Sequence, residues 1–399
     1  MCPPLTKGAS EGLILRMGSG WLAARLKSMN RSRWLFLGVV GLLVFPSQAS
    51  ANAGTPLMWA TASHLVIGNA LIGVLEGWIL GRWFGIPRTK AILVMIAANY
   101  FSAWVGGLFI RGAIVSALPI DLNNGWRWFW IMVGVTYCLT LLLEWPFVAA
   151  VFRGTPGWMK RTMGATFAVQ SVSYTLLFGW YWLASSTSLY TQTQIVRSED
   201  LSLPESVLVY YIDPSDGGVY QRGLAGGEVK KVLDLKLGQK ADRLFVWPNA
   251  VDTNRWDLMA WLEGEDRRSP GTVSVRTNLH IDAAMDWRGF DEDPPTYRGT
   301  GSNFGDVAAL ASATNSPWEF WVGFWASGGL HVSRKGTDDW FRVAYETPFG
   351  AWPVRNAVHL PSDKVLFQLG EDQICGFDPV KRQVALLWRG RGPVPVIGK

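Results

Sequence analysis

The first half of the chain alternates long apolar runs with short polar connections. Apolar runs cover residues 58–81, 91–110, 128–151 and 163–186. Each run is close to the roughly 20 residues that a helix needs to cross the hydrocarbon core of a bilayer. Short strand-like segments replace these runs after residue 205. The pattern predicts a membrane α-helical bundle of four spans, residues 54–186, followed by an all-β domain.

The connections between the runs predict the direction in which the chain crosses. The first and third connections are basic, and basic connections stay on the cytoplasmic side. Their cationic residues are Arg82, Arg88, Lys90, Arg153, Lys160 and Arg161. We therefore expect a multi-pass protein of the cytoplasmic (inner) membrane, whose C-terminal domain lies on the outer, periplasmic side.

The segment before the first run has the order of a signal peptide. Basic residues 29–33 precede an apolar run over 34–45, and small residues follow. Ala49-Ser50-Ala51 and Ala51-Asn52-Ala53 both fit a cleavage site. Residues 1–53 are thus predicted to be an N-terminal extension and signal peptide, with an uncleaved first anchor as the alternative.

Strand signals dominate from residue 206 to residue 399. Runs of β-branched and aromatic residues are separated by turn clusters such as Pro214–Gly218. A loose similarity recurs at roughly 35–45 residues, the period of propeller blades. We expect extracytoplasmic propeller-like blades, with three-stranded meanders near 206–238 and 362–392; a β-sandwich or an irregular β-domain is the alternative. The polar residues 187–205 are predicted to be a linker.

The net charge of the chain changes sign at the boundary between the predicted helical and β regions. Residues 1–186 hold 14 Lys and Arg against four acids, a net charge of +10, whereas residues 187–399 hold 23 against 27, a net of −4. The basic total therefore comes from membrane-flanking residues and is not the footprint of a nucleic-acid-binding protein. The second half contains no basic patch with interleaved aromatic residues, so no nucleic-acid partner is expected.

Six polar residues inside the predicted spans are the candidate site. They are His64, Asn69, Glu76, Asn99, Glu144 and Gln170. An ionisable residue in a span is costly and by default a functional candidate. On an ideal helix Asn69 and Glu76 lie about 20° apart on one stripe with Gly73, and His64 falls on a different face.

Four of these residues fall at one depth. Glu76, Asn99, Glu144 and Gln170 lie about 8–12 Å from the cytoplasmic ends of their spans, at about 1.5 Å per residue. We predict that they face one another inside the bundle, with at least one carboxylate protonated because two close negative charges repel. Such a layer is either a structural hydrogen-bond network or a proton- or ion-linked site.

Motifs for soluble catalysis are absent from the sequence. It has no G-x-S-x-G, phosphate-binding loop, dinucleotide fingerprint, or Cys/His cluster, so no catalytic, cofactor-binding or metal-ligating residue is nominated. His280, His331 and His359 are isolated in sequence and could meet only through folding. The acidic run at 282–293 does not match a calcium loop.

Two classes of function are compatible with these observations. The first is a membrane-anchored extracytoplasmic binding, scaffold or sensor module, whose partners would be the lipid bilayer and an envelope protein, peptide or glycan. The second is a small membrane-embedded transporter or enzyme that uses the intramembrane polar layer. Close packing of Gly73, Gly77 and Gly81, which are spaced by four, would serve either bundle packing or a homo-oligomer.

Overall fold

A computed structural model describes most of the chain after the N-terminal region. The described residues are 54–106, 118–235, 242–249, 251–252, 255–262, 271–280, 285–287, 309–313, 315–323 and 325–397. The predicted signal peptide and most of the acidic run lie outside them. Helices occupy the N-terminal half of the described chain, and a large all-β region made of several sheets follows.

Four long helices correspond in position to the four apolar runs. They are α1 (Pro56–Phe84), α2 (Arg88–Val105), α3 (Gly125–Phe152) and α4 (Trp158–Ala184). Within the described residues, α1 and α3 are long and apolar enough to cross a membrane. α2 and α4 are less apolar, since each begins with basic residues and carries an amide at its middle.

Helix α1 contains one irregular turn. Thr55 caps its N-terminus by accepting a hydrogen bond from the Met58 N–H over 3.1 Å, and Pro56 occupies the first turn, where its missing N–H costs nothing. Residues His64–Gly68 form a π-helical turn, so the Asn69 N–H bonds the carbonyl of His64. Single π turns of this kind occur often at functional sites.

Close packing of α1 on α2 depends on two glycines. A Cβ atom added at Gly73 would lie 2.6 Å from the Ile96 backbone, and one at Gly77 would lie 2.4 Å from Ile92 Cα. Real Cβ atoms cannot approach backbone so closely. The small residues therefore let the two helices meet at the level of the polar residues.

The β region contains nineteen described strands. They are β1 (Gln194–Val196), β2 (Val207–Ile212), β3 (Gly218–Gly223), β4 (Lys230–Asp234), β5 (Arg243–Pro248), β6 (Arg255–Leu262), β7 (Gly271–His280), β8 (Met285–Trp287), β9 (Ala309–Ala313), β10 (Trp318–Val322), β11 (Leu330–Arg334), β12 (Trp340–Val343), β13 (Tyr345–Thr347), β14 (Gly350–Trp352), β15 (Val354–Leu360), β16 (Lys364–Leu369), β17 (Gln373–Asp378), β18 (Gln383–Arg389) and β19 (Arg391–Ile397). The largest sheet has the order β1-β18-β17-β16-β15-β9-β8, and the next has the order β19-β2-β3-β4. Smaller sheets are β5-β6-β7, β10-β11-β12 and β13-β14.

Both predicted meanders are present, as β2-β3-β4 and β16-β17-β18, but no closed propeller forms among the described strands. The second meander is not a separate blade. It is extended on one side by β15 and β9, which pair in parallel, and on the other by β1, which pairs in parallel with β18. Long-range parallel pairings of this kind leave no signal in local sequence, so the blade prediction could not anticipate them.

The β region is joined firmly to one end of the helices. Residues 187–205, predicted to be a linker, contain a short helix α5 (Ser188–Thr191) and β1. Leu189 of α5 and Leu122 of the α2–α3 connection are fully buried in the main β core. The Leu122 N–H also donates to Gln373 Oε1 over 2.7 Å, so this connection is fixed to the sheet.

Candidate functional site

Each of the four long helices contributes one polar side chain to a buried cluster. Asn99 of α2 donates its amide to Glu76 Oε2 of α1 and to the Met95 carbonyl. Gln170 of α4 donates its amide to Glu144 Oε2 of α3. Glu76 and Glu144 are fully buried. The structure therefore brings the four residues of the sequence-derived layer together.

Two serines complete this arrangement, which we call the carboxylate cluster: Glu76, Asn99, Ser102, Glu144, Gln170 and Ser173. The Ser102 hydroxyl donates to Glu144 Oε1 over 2.6 Å. The Ser173 hydroxyl lies 3.4 Å from Gln170 Oε1. Sequence reasoning missed both serines. The available signal was their spacing, because each lies three residues after a cluster amide and so on the same helix face.

One carboxylate oxygen of the cluster has no partner. Glu76 Oε1 is buried and accepts no hydrogen bond of ordinary length and angle, although Ser173 and Gln170 also lie close enough to interact with this carboxylate. Oε2 of Glu76 and both oxygens of Glu144 each accept one hydrogen bond. Leaving a buried acceptor unsatisfied costs roughly 1–3 kcal/mol, and more for a charged group. The cluster is therefore incomplete at this atom.

A cavity adjoins the cluster on the side of the β region. Its volume is about 80 Å³ as space open to the centres of water molecules, which is room for a few waters. It is lined by His64, Asn69, Ile72, Asn99, Ser102, Ala103, Thr140, Glu144, Gln170, Ser173, Tyr174 and Leu177. Apart from the cluster itself, these residues lie on the parts of the helices nearer the β region.

The opposite side of the cluster is packed with apolar side chains. Leu80, Met95, Val148, Phe152 and Val169 belong to one buried hydrophobic core between the cluster and the helix ends that face away from the β region. The cavity is therefore closed on the side that faces away from the β region.

His64 and Asn69 line the same cavity, contrary to the expectation that His64 occupies a different face. The π turn accounts for the difference, since it widens the helix between the two residues and changes their angular separation. His64 Nδ1 lies 2.8 Å from the Tyr181 hydroxyl of α4, and Asn69 is itself buried. The same turn leaves the Val66 carbonyl to accept the Tyr100 hydroxyl.

The histidines of the β region do not form a site. His331 stacks on Trp321 at 4.9 Å between ring centroids, while His359 contacts Phe320 at the same centroid distance. Trp321 and Phe320 are consecutive in β10 and point to opposite faces of the sheet. His331 and His359 are therefore on opposite faces, and the side chain of His280 lies outside the described part of the chain.

No transition-metal site is evident in the part of the chain that the structure describes, where no three His, Cys, Asp or Glu side chains converge. Comparison with known proteins adds nothing to this picture: no protein-family model matches the sequence, and no curated protein is similar to it. The functional argument therefore depends on the carboxylate cluster and its cavity.

Proposed function

We propose that the chain is a four-span protein of the cytoplasmic membrane that binds a small solute in an intramembrane site reached from the outer side. The surface of the bundle supports the four spans. α2 and α4 expose large apolar side chains, among them Leu93, Trp104, Phe167 and Leu183. The polar residues at their middle, Asn99, Ser102, Gln170 and Ser173, are buried. Apolar residues outside and polar residues inside are the arrangement that lipid favours.

The ends of the helices support the sidedness. The β region contacts Thr55, Leu122 and Ser186, which all lie at one end of the bundle. The basic connections after Phe84 and Phe152 lie at the other end. Since basic connections stay inside, the β region and the cavity, which lies on the β-region side of the cluster, belong to the outer side in this proposal.

The depth of the carboxylate cluster is that of a solute site. Glu76 and Glu144 each lie eight residues before the inner end of their helix, or about 12 Å. Asn99 and Gln170 lie about 16–18 Å from the inner ends of theirs. These depths are near the middle of a hydrocarbon core of about 30 Å, where membrane transporters place substrate and coupling ions.

The single observation that carries the proposal is the convergence of two buried carboxylates from different helices beside a polar cavity that one of them, Glu144, lines directly. A bundle held together by hydrogen bonds alone would need amides and hydroxyls, but no carboxylates. Acidic groups in lipid are expensive, so their placement beside an open cavity favours transport or sensing of a solute over anchoring.

Thiol accessibility tests the direction of the cavity. In a background where Cys138 is replaced by Ser, a Ser173→Cys variant in intact cells should react with a membrane-impermeant thiol reagent added outside. Ala165→Cys, two turns deeper on the same helix and buried in the apolar core, is the matched control and should not react. Equal protection of both positions would refute an outward-facing site.

Variants of the carboxylates test function. Glu76→Gln and Glu144→Gln preserve size and hydrogen-bonding capacity, so the protein should keep its fold. Dissipation of a pH gradient by protein-containing liposomes should decrease at least tenfold in both variants, whereas Glu228→Gln, an exposed substitution in the β region, should have no effect. Full activity in the first two variants would show that the layer is structural.

A second candidate function has its own supporting observation in the β10-β11-β12 sheet. The outward face of this sheet presents Trp321, 43% exposed, and Trp340, 62% exposed, beside Arg342 and the His331 ring. Aromatic and polar side chains together can bind a peptide or glycan of the envelope. Binding to a glycan array that disappears in Trp321→Ala and Trp340→Ala, but persists in Val251→Ala, would support this recognition role.

A further inference from the structure

Two buried threonines of α4 lie between the carboxylate cluster and the helix ends that face away from the β region. Thr162 is fully buried, and Thr166 is 3% exposed. They follow Trp158, the first residue of α4, by four and eight residues, and so lie about 6 and 12 Å from the inner end of this helix. Thr166 is therefore at the depth of Glu76 and Glu144, and Thr162 is about halfway from there to the inner end.

The hydroxyl groups of both threonines have no hydrogen-bond partner in the part of the chain that the structure describes. A threonine or serine inside a helix commonly donates to the carbonyl four residues earlier. Thr140, Ser171 and Thr175 of the same bundle do so. A buried hydroxyl without a partner costs free energy, so its presence at two successive turns calls for an explanation other than folding.

The two hydroxyls continue a polar edge of α4 that begins in the carboxylate cluster. At about 100° per residue, Thr166 and Gln170 lie about 40° and 80° around the helix from Thr162, while Ala165 and Val169 lie to its other side in the apolar core. Gln170 is itself bonded to a carboxylate of the cluster. Successive polar residues of this edge are four residues, or about 6 Å, apart. One water with a hydrogen bond of about 2.8 Å to each neighbour spans that distance.

Apolar packing closes this inner half of the bundle in the structure. Ile79 and Leu80 of α1 pack with α4 in the same buried core. Arg161, the cation next to Thr162 in sequence, is directed away to the Phe84 carbonyl and the Phe152 ring. Hydroxyls that lack a partner in the closed arrangement gain one when water enters, so hydration favours an arrangement that is open on the inner side.

We propose that Thr162 and Thr166 form the inner half of a proton path, which fills with water when the apolar core on this side separates. The proposal rests on the proposed intramembrane site and supplies its connection to the inner solution. The carboxyl group of Glu144, which lines the outer cavity, transfers its proton to the adjacent water, and the water chain releases a proton to the inner solution. The carboxylate that remains takes up a proton from the outer cavity. One proton crosses in each cycle, and no other reactant is consumed.

Proton flux through the full chain in liposomes tests this path, with the decay of an imposed pH gradient followed by a dye in the lumen. Thr166→Val keeps the shape of the side chain and removes the hydroxyl. Flux should fall about tenfold, the effect of one lost hydrogen bond along the path, and Thr162→Val should also lower it. Thr166→Ser keeps the hydroxyl and should retain most of the flux. Thr175→Val is the matched control on the same helix and should have no effect, because this residue is exposed and its hydroxyl bonds the Ser171 carbonyl.

Thermal unfolding separates a role in the path from a role in packing. Valine removes a hydroxyl that has no partner, so Thr162→Val and Thr166→Val should unfold at the temperature of the unchanged protein or above it. A lower flux with an equal or higher unfolding midpoint supports the path. A lower flux with a lower midpoint, which Thr166→Ser does not restore, would mean that the threonines serve packing alone and would overturn the proposal.

Two further results would overturn it. Full flux in both valine variants, with flux lost in Glu144→Gln, would remove these threonines from the path and leave the outward-facing site intact. Absence of proton flux in the unchanged protein would remove the path altogether. The accessibility of Ser173→Cys would then still decide whether the site faces outward, so the two proposals fail on different measurements.

Discussion

The hydroxyl of Thr55 donates a hydrogen bond of 2.9 Å to Oε1 of Glu346, which lies 291 positions further along the chain. Thr55 caps the first long helix, and Glu346 is a buried residue of β13. Next to it, Ser186 and Glu346 exchange backbone hydrogen bonds of 2.7 and 2.8 Å. The first and last long helices are thus both fixed to the same strand of the β region.

Removal of the Thr55 hydroxyl should destabilise this junction. Thr55→Val loses both the helix cap and the bond to Glu346, with an expected cost of about 1–2 kcal/mol. Thermal unfolding in detergent followed by circular dichroism measures the change, and Thr191→Val, an exposed position, is the control. An unfolding midpoint equal to that of the unchanged protein would contradict a structural role for the bond.

The acid at this junction should make stability depend on pH. Burial raises the pKa of Glu346 above its usual value, although the Thr55 hydroxyl opposes the rise. A folded-state pKa that is raised means that the folded protein holds the proton more tightly, so stability is full at acidic pH and declines as pH rises past about 4.5. Glu346→Gln should flatten this decline between pH 5 and pH 8; an unchanged slope would exclude Glu346 as its source.

Substitution of the interface glycines should separate α1 from α2. A methyl group at Gly73 or Gly77 would contact Ile96 or Ile92 backbone, which cannot move without moving the helix. We expect Gly73→Ala and Gly77→Ala each to cost about 1–3 kcal/mol. Gly164→Ala in α4 meets no atom within 4 Å and should be neutral or slightly stabilising. Comparable unfolding midpoints for all three variants would refute the close packing.

A partly buried ion pair should control the acid stability of the β region. Burial by itself would raise the pKa of Asp378, but the hydrogen bonds from Lys364 and from backbone N–H groups outweigh it and hold this pKa below its usual value. A depressed pKa contributes stability above about pH 4, and that stability is lost as pH falls further.

Asp378→Asn should therefore cost about 1–3 kcal/mol at pH 7, because it leaves the Lys364 ammonium without its counter-charge. The cost should shrink below pH 4, where the unchanged protein also loses the pair. Urea unfolding at the two pH values measures it, with Asp338→Asn at an exposed position as the control. A cost that is the same at both pH values would mean that the ion pair does not contribute.

The proposed sidedness of the chain predicts the outcome of reporter fusions. An enzyme that is active only after export should be active when fused after Lys399, and inactive when fused after Gly157 in the second basic connection. A cytoplasmic reporter should give the reverse pattern. Export-dependent activity at Gly157 would invert the topology and place the cavity on the inner side.

Local sequence determined the positions of the four long helices, the all-β character of the second half and both meanders. The spacing of apolar residues and the length of apolar runs indicate these features. Both can be read from short stretches of sequence, without reference to distant parts of the chain. For the same reason, counting residues from the end of each predicted span was enough to group Glu76, Asn99, Glu144 and Gln170. Rise per residue is fixed in a helix, so residue counts from the predicted span ends placed the four side chains at similar depth. The helices themselves place the acids about 12 Å and the amides about 16–18 Å from their inner ends.

Tertiary structure alone decided how these elements are completed. The π turn that brings His64 and Asn69 to one cavity changes the helix period, which ideal geometry cannot anticipate. The parallel pairings of β1 with β18 and of β9 with β15 join segments far apart in sequence and replace separate blades with a continuous sheet. The environment of Glu76 Oε1 was also decided by the tertiary structure. The sequence shows that a carboxylate is present, but only the packing of the four helices decides which of its two oxygens accepts a hydrogen bond.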